Sequence, residues 1–238
     1  MEHSTATARG VVAALVAAVL ARPAAAASSD GGTSGNAGGG ATYYSTPPSG
    51  GEISLKVASG AWLGRAIRIR GRSADLADRT VAIERRRSHR SGWVPVASVP
   101  VDGEGRFTTR WTPGSAGRHH LRAVPAGASS ASADARAASA VRRVVVYGQV
   151  TSTWYGPGFY GNRTACGQRL TRSTQGVAHR TLPCGTKVAL RVNGRSVVVP
   201  VIDRGPYARG VTYDLTGATA RALGAMYTAR IGAAVLTR

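Results

Sequence analysis

The chain has 238 residues and a formal net charge of +20, and all but two of its basic residues are arginine. This length allows two modest domains beyond an N-terminal segment. Such a charge favours anionic surroundings, namely a cell-wall polymer, a membrane or nucleic acid. The sequence contains no helix-turn-helix, RNP or zinc-finger pattern, so nucleic acid is not a predicted partner.

Residues 1–27 are predicted to be an export signal. Arg9 supplies the positive charge, Val11–Ala21 the apolar run, and Ala24–Ala27 a small-residue cleavage site. The alternative is a membrane anchor, which needs about 20 apolar residues. Arg22 and Pro23 end the run well before that length, so we predict a secreted protein without stable membrane insertion after cleavage.

Residues 28–50 consist mainly of Gly, Ser, Thr, Ala and Pro, with Asp30 as the only charge, and are predicted to be a flexible linker. Residues 51–147 contain short β-prone runs separated by turn residues, which predicts an immunoglobulin-like β-sandwich. A long loop is expected at Ala126–Ala140. The predicted strands are Ile53–Val57, Ala66–Arg70, Val81–Glu84, Trp93–Val99, Arg106–Trp111, His120–Val124 and Val141–Tyr147.

Two features of the sandwich could suggest a catalytic role. His119 and His120 are adjacent, but neighbouring residues on a strand point to opposite faces, so they cannot share a metal ion there. The run Arg85–Arg87 suits a solvated sheet edge, where charge discourages aggregation. We therefore predict a spacer or wall-binding module.

Residues 148–238 contain short strands, one hairpin and one short helix, which predicts a small barrel. Asn193-Gly194 is a strong signal for a tight hairpin turn. The predicted elements are strands at Lys187–Val192 and Arg195–Val201, a helix at Gly217–Leu223 capped by Thr216 and Gly224, and a last strand at Arg230–Thr237.

The cysteines of the chain are Cys166 and Cys184. An even number of cysteines in an oxidising compartment predicts one disulfide. A reactive thiol or a metal site is the alternative, but no histidine pair lies nearby and the spacing matches no zinc motif. No metal and no cofactor are predicted.

Five motifs in this segment occur in the order found in one known family. They are Thr153-Trp-Tyr-Gly156, Arg163-Thr-Ala-Cys-Gly167, Val177-Ala-His-Arg-Thr-Leu-Pro183, Val201-Ile-Asp-Arg-Gly-Pro-Tyr207 and Tyr213-Asp-Leu-Thr216. Residues 149–238 thereby resemble the rare-lipoprotein-A double-psi β-barrel family. The resemblance implies a six-stranded barrel and lytic transglycosylase activity, which cleaves between N-acetylmuramic acid and N-acetylglucosamine and leaves a 1,6-anhydro sugar. Expansins and inverting endoglucanases share the fold.

A count of carboxyl groups narrows the candidate catalytic residues. Residues 148–238 contain two side-chain carboxyls, Asp203 and Asp214, and no glutamate. Glycosidic cleavage needs a proton donor to the leaving oxygen, usually a carboxylic acid with a raised pKa. A lytic transglycosylase can use a single carboxylate, because the C6 hydroxyl of the substrate serves as the nucleophile.

Asp203 follows a mostly apolar strand and is the expected general acid and base, as the resemblance also implies; an Asx-turn role is the alternative. Asp214 is either a second catalytic carboxyl or a partner of the following helix. His179 matches the family histidine and is expected to orient Asp203 or bind a sugar hydroxyl, unless it is structural.

The other expected site residues bind substrate. Thr153 and Tyr155 lie in a Gly-rich segment with four aromatic residues that suits stacking on sugar rings, and Arg204 and Tyr207 are expected to position the glycan. Gln168 stands where many family members have an acidic residue. Glutamine can hydrogen-bond a sugar but cannot donate a catalytic proton at neutral pH, so reduced or lost turnover is one expectation.

The sequence thus predicts an exported peptidoglycan lytic transglycosylase associated with the cell wall. The alternative is a non-catalytic, expansin-like protein that binds or loosens the wall. Peptidoglycan strands are the predicted partner, and anionic wall polymers or other wall hydrolases are further candidates. A third hypothesis is a cationic wall-binding toxin or a structural protein.

Overall fold

The computed structural model describes residues 53–127 and 138–236. The expected signal and linker lie outside the described residues, as does most of the expected loop at Ala126–Ala140.

The described residues are mainly β, as predicted. The strands are β1 (Ser54–Val57), β2 (Gly60–Trp62), β3 (Ile67–Arg72), β4 (Thr80–Arg86), β5 (Val94–Pro100), β6 (Arg106–Trp111), β7 (Gly117–Pro125), β8 (Arg142–Tyr155), β9 (Val177–Ala178), β10 (Lys187–Val192), β11 (Arg195–Asp203), β12 (Tyr213–Thr216) and β13 (Ala229–Leu236).

The N-terminal half consists of two sheets around one apolar core. One sheet has the strand order β1-β3-β6; in the other, β5, β4, β7 and β8 are neighbours in that order, and β2 pairs with β8. Alternate side chains of each strand point inward, as the period-two pattern requires. The core includes Leu55, Ile69 and Phe107 from the first sheet and Val81, Ile83, Leu121 and Val144 from the second.

The strands of this half agree closely with the sequence pattern. Strand β1 begins one residue after the expected Ile53, and β3 extends two residues beyond the expected Arg70. Strand β2 was not predicted, because three residues are too few to show a periodicity. The immunoglobulin-like classification of this half stays a prediction.

A single strand connects the two halves of the structure. Strand β8 is 14 residues long and continues through the expected boundary between residues 147 and 148. Its first part pairs with β7 and β2, and its second part pairs with β13 and β12. The hydrogen-bonded ladder therefore passes from one half to the other without an intervening loop.

Side chains from both halves pack together beside this strand. Tyr147 lies in a small buried cluster with Ala234 and Leu236, and Trp62 packs against that cluster. Gly232 is required here, since a Cβ atom at this position would lie 2.7 Å from the Trp62 ring. The guanidinium of Arg191 lies 5.9 Å from the centre of the Tyr147 ring. The junction is thus a packed apolar contact.

The C-terminal half is a closed barrel of six strands, as predicted. The strand order is β12-β9-β11-β10-β13-β8, and β12 also pairs with β8, which closes the ring. The β12–β8 and β11–β9 pairs are parallel, and the other pairs are antiparallel. Closure leaves this sheet without a free edge.

The local signals in the barrel segment are confirmed. Asn193 and Gly194 have φ values of 48° and 79° and form the tight turn between β10 and β11. Helix α1 spans Gly217–Leu223; the Thr216 hydroxyl accepts from the Thr219 N–H, and Gly224 ends the helix with a left-handed φ of 70°. The last strand, β13, begins one residue before the expected Arg230, and Thr237 lies outside the described residues.

Candidate active site

An open cleft of about 390 Å³ lies where strands β8, β11 and β12 end on the barrel. Both carboxyl-bearing side chains of the barrel segment face it. The cleft is therefore the place where glycosidic acid–base chemistry could occur. It is lined by Thr153, Tyr155, Phe159, Ala178, Asp203, Arg204, Gly205, Pro206, Tyr207, Ala208 and Asp214.

Asp203 is the last residue of β11 and lies beside a register shift in the pairing of β11 with β9. Three donors reach its carboxylate. The backbone N–H groups of Ala165 and Arg204 donate to Oδ1 at 2.9 and 2.8 Å, and the Tyr155 hydroxyl donates to Oδ2 at 3.2 Å. An ionised carboxylate can accept all three hydrogen bonds.

Tyr155 connects the aromatic wall of the cleft to Asp203. Its ring meets the Phe159 ring edge-to-face with centroids 6.1 Å apart. Burial and the negative charges of Asp203 and Asp214 raise the pKa of the Tyr155 hydroxyl far above its usual range. The hydroxyl therefore remains protonated and serves as a permanent hydrogen-bond donor to Asp203.

Asp214 is placed by strand β12, which pairs with β8 and β9. In this register Asp214 lies opposite Thr153 on one side and Ala178 on the other. The Thr153 hydroxyl donates to Asp214 Oδ1 at 2.7 Å. Burial raises the pKa of Asp214; the Thr153 hydrogen bond lowers it in part, and the negative charge of Asp203 raises it further.

The two carboxyls thus have different surroundings within one cleft. Asp203 accepts hydrogen bonds from three donors, whereas Asp214 has its pKa raised by burial and by the charge of Asp203. Unequal surroundings of this kind separate an acid from a base in glycoside-cleaving sites. Two carboxyls in one cleft can supply one group that donates a proton and another that accepts one.

A comparison with known proteins matches the segment of the chain that contains this cleft. A family profile described as lytic transglycolase matches residues 148–235. Residues 148–235 form a lytic-transglycolase domain. The resemblance to the rare-lipoprotein-A double-psi barrel is thereby confirmed for this segment.

Several curated relatives match the lytic-transglycolase domain. A probable endolytic peptidoglycan transglycosylase RlpA from Synechocystis is 48% identical over 90 residues, which is 37% of this chain and 27% of the relative. The corresponding Aquifex aeolicus protein is 43% identical over 35% of this chain and 38% of its own length. The matched segment thus spans well under half of these relatives.

Among solved structures, the Streptomyces papain inhibitor matches with a TM-score of 0.32 and 25% identity. The match covers 37% of this chain and 94% of that chain.

The disulfide of the lytic-transglycolase domain supports the loop that contacts Asp203. Cys166 and Cys184 are bonded with their Cα atoms 5.7 Å apart, which confirms the predicted pairing. The backbone N–H of Cys166 also donates to the Ile202 carbonyl at 3.2 Å. The bond therefore fixes the loop whose Ala165 N–H reaches Asp203.

Arg204 has a different environment from the one expected of a substrate-binding arginine. Its Nη1 donates to the Leu182 carbonyl at 3.0 Å and to the His179 carbonyl at 3.3 Å, and its Nη2 contacts Cys184 Sγ at 3.4 Å. Its backbone N–H donates to Asp203. These contacts hold the turn beside the cleft, which Arg204 also lines, and a role in binding glycan stays a prediction.

His179 lies next to the cleft-lining Ala178 but is not among the residues that line the cleft. Its Nδ1 accepts from the N–H groups of Thr181 and Leu182 at 3.1 and 3.0 Å, and its ring packs on Tyr213 with centroids 5.0 Å apart. Its backbone N–H donates to the Asp203 carbonyl at 3.1 Å. The contacts are those of a turn residue, and the expected catalytic role stays a prediction.

Of the two remaining expected residues, Gln168 and Tyr207, only Tyr207 lines the cleft. Gln168 is exposed and outside the cleft lining, and its carbonyl accepts from the Thr164 N–H. Tyr207 lines the cleft and is 81% exposed, so its ring is free to contact a ligand. Of the two, the structure brings only Tyr207 to the carboxyls.

Sequence reasoning missed two contributors to the cleft. The Ala165 N–H is a backbone donor, so its residue type gives no signal. Phe159 lines the cleft with 55% of its surface exposed, and the Gly-rich aromatic run in which it lies was the available clue.

Over residues 53–127 and 138–236, no three His, Cys, Asp or Glu side chains are grouped to hold a metal ion. No helix in these ranges is long and apolar enough to cross a membrane.

Proposed function

We propose that the protein is a peptidoglycan lytic transglycosylase. It cuts the bond between N-acetylmuramic acid and N-acetylglucosamine and leaves 1,6-anhydro-N-acetylmuramic acid. The observation that carries the proposal is the pair of carboxyls in one cleft, of which Asp214 has a pKa raised by burial and Asp203 accepts three hydrogen bonds. The names of the relatives support the same substrate class.

In the proposed step, protonated Asp214 gives its proton to the glycosidic oxygen while the bond from C1 to that oxygen breaks. The C6 hydroxyl oxygen of the muramic acid residue then bonds to C1, and its proton passes to the Asp203 carboxylate. The products are a free N-acetylglucosamine hydroxyl and the 1,6-anhydro ring. Solvent returns the proton from Asp203 to Asp214, which restores the site.

This division of labour refines the expectation that Asp203 serves as both acid and base. Burial favours the protonated form of Asp214, whereas three hydrogen-bond donors hold the Asp203 carboxyl in place. A route that uses Asp203 alone remains the alternative. It predicts that removal of the Asp214 carboxyl leaves most of the turnover intact.

The proposal is tested by digestion of purified peptidoglycan with the full chain, followed by mass spectrometry of the soluble products. We expect anhydro-muropeptides from the wild type and at least about a hundredfold fewer from Asp203→Asn, the scale of a lost acid–base group. Lys187→Gln, on strand β10, is the matched surface control and should be fully active. Products with a reducing end, or undiminished anhydro products from Asp203→Asn, would contradict the mechanism.

An expansin-like wall binder is the second candidate. It is favoured by Gln168 in place of an acidic residue and by the exposed rings of Phe159 and Tyr207 at the cleft, which can stack on sugars without cleavage. In a glycan pull-down, a binder retains polymer yet releases no anhydro products. Loss of retention in the double variant Phe159→Ala, Tyr207→Ala would then identify the binding surface.

Peptidoglycan as the substrate implies a location outside the cytoplasm, in or near the cell wall. This agrees with the export signal expected at residues 1–27.

A further inference from the structure

The outward face of the three-stranded sheet β1-β3-β6 is almost entirely basic. Its inward positions are apolar apart from Thr109, and its outward positions carry Lys, Arg, Ser or Thr, all of them exposed. We call this surface the basic face. It comprises Lys56, Arg68, Arg70, Arg72, Arg106 and Arg110, together with Ser54 and Thr108.

The strand register places like charges directly opposite each other on this face. Arg68 lies opposite Arg110, and Lys56 lies opposite Arg70. Like charges in directly opposed positions destabilise a sheet. The arrangement therefore destabilises the unliganded protein by electrostatic repulsion, and a bound anion would relieve that repulsion.

The basic face is largely without acidic partners. Arg106 pairs with Asp102 at 3.4 Å and with Glu104. The other five basic residues form no ion pair with any part of the chain that the structure describes. The second sheet behaves differently, since Glu84 and Arg122 lie directly opposite each other and pair at 2.7 Å. Neutralising pairs are thus available to this fold but are nearly absent from the basic face.

The side chains of the basic face limit the classes of ligand that it can bind. It presents no aromatic ring on which a nucleic-acid base could stack and no apolar side chain that could enter a bilayer. Guanidinium groups bind phosphate through two parallel hydrogen bonds. Alternate residues along a strand are about 6.6 Å apart, so Arg68, Arg70 and Arg72 form a regular row of charge.

We infer that the basic face binds a linear polyol-phosphate polymer of the cell wall. The regular cationic row matches a regular row of phosphates, and its side chains are exposed on a hydrogen-bonded sheet. The choice of a wall polymer over a nucleic acid rests in part on the proposed function of the barrel. Binding there would hold the cleft near peptidoglycan and raise the effective concentration of its substrate.

The test measures binding of the full chain to fluorescently labelled poly(glycerol phosphate) by anisotropy at several salt concentrations. The face variant combines Arg68→Gln, Arg70→Gln and Arg110→Gln. The control variant removes the same charge from exposed arginines elsewhere, through Arg65→Gln, Arg169→Gln and Arg230→Gln. We expect the face variant to bind at least about tenfold more weakly and to show a shallower salt dependence, with the control nearly unchanged.

Competing outcomes are distinguished within the same assay. Equal weakening by both triple variants would mean that overall charge decides binding, which overturns the inference. Single-stranded DNA that binds as tightly as poly(glycerol phosphate) would assign the face to nucleic acid, and polygalacturonate that binds as tightly would remove the preference for phosphate. Asp203→Asn should bind the polymer like the wild type, which separates this test from that of the catalytic proposal.

A second measurement checks the repulsion on which the inference depends. The face variant lacks the repulsion between Arg68 and Arg110. Its melting temperature without polymer should therefore be higher than that of the wild type. A lower melting temperature would show that these arginines stabilise the fold and are retained for that reason.

Discussion

The two carboxyls of the cleft differ in their hydrogen-bond partners. Asp203 accepts hydrogen bonds from Tyr155, Ala165 and Arg204, whereas Asp214 accepts one from the Thr153 hydroxyl and has its pKa raised by burial and by the charge of Asp203. The negative charge of Asp203 thus acts in the same direction as burial, and both favour the proton that the proposed acid must carry.

Replacing Asp214 tests its role as the acid. We expect Asp214→Asn to lower the rate of anhydro-muropeptide release by about 10² to 10⁴, because the leaving oxygen loses its proton donor. Wild-type activity should fall as pH rises through the raised pKa of Asp214, since the donor is then ionised. Product release measured over a range of pH checks both expectations; an unchanged rate in the variant favours the route through Asp203 alone.

The same substitution has the opposite effect on stability. A raised folded-state pKa means that the folded protein binds more protons than the unfolded chain between the ordinary value of 3.8 and the raised value. Stability therefore falls as pH rises through this window and stays reduced above it. Asp214→Asn should melt at a higher temperature than the wild type at neutral pH and at a similar temperature below pH 3.8; thermal unfolding at both pH values checks this.

Tyr155 provides a test of positioning. We expect Tyr155→Phe to lower the turnover rate about tenfold to a hundredfold, because a hydrogen bond to a charged group contributes about 1.5–3 kcal/mol. The Phe ring keeps the edge-to-face contact with Phe159, so KM should change little. Kinetics that resolve kcat from KM check this, and a change confined to KM would indicate that Tyr155 binds glycan instead.

At the scale of elements, local signals were sufficient for the hairpin and the helix but not for the closure of the barrel. Asn193-Gly194 and the caps of α1 lie next to the elements they define. Strand β9 has two residues, and β12 joins β8 by a parallel pairing across some 60 residues of sequence. No local pattern encodes such a pairing, so the resemblance to a family was needed to predict it.

The site residues divide in the same way. Asp203 and Asp214 could be found by counting carboxyls, but their difference comes from contacts with Ala165 and Thr153, which are 38 and 61 residues away in the sequence. His179 and Gln168 were selected by motif position alone, and both lie outside the cleft lining. The His179 ring accepts hydrogen bonds within a turn, and Gln168 is exposed to solvent. A sequence motif reveals neither of these environments.

The disulfide is the element-scale feature with the clearest energetic consequence. The bond closes a loop with a sequence separation of 18 residues, for which the chain-entropy model gives a stabilisation of about 3 kcal/mol. We expect the double variant Cys166→Ser, Cys184→Ser to lose about this free energy of unfolding in urea. Its activity should also fall, because the loop that carries the Ala165 N–H is no longer held.

Reduced wild-type protein is the matched control for that variant. It should unfold at the same urea concentration as the double variant, and addition of reductant to the double variant should change nothing. Equal stability of oxidised and reduced wild type would show that the loop is held by its backbone contacts alone.

At the scale of the whole molecule, β8 makes the two halves one structural unit. Because its 14 residues pair with β2 and β7 at one end and with β12 and β13 at the other, neither half can lose the strand without affecting the other. The packed contact of Trp62 with Tyr147 and Gly232 reinforces this connection.

We therefore expect a single cooperative thermal transition for the described part of the chain. Calorimetry should give one peak, and the tryptophan fluorescence of Trp111 in the N-terminal half and Trp154 in the barrel should change at the same temperature. Trp62→Ala should lower that temperature and, by weakening the junction, begin to separate the two signals. Two well-separated transitions in the wild type would show that the halves unfold independently despite the common strand.

The continuous strand also limits how the chain can change in length. Side chains alternate between faces along β8, so Thr153 and Tyr155 reach the cleft only while the count of residues from the buried Val144 and Val146 keeps its parity. One inserted residue between the halves, unless absorbed in a bulge, turns either the core valines or the cleft residues to the wrong side, whereas two preserve both. Homologous chains that keep this strand should therefore differ there by even numbers of residues.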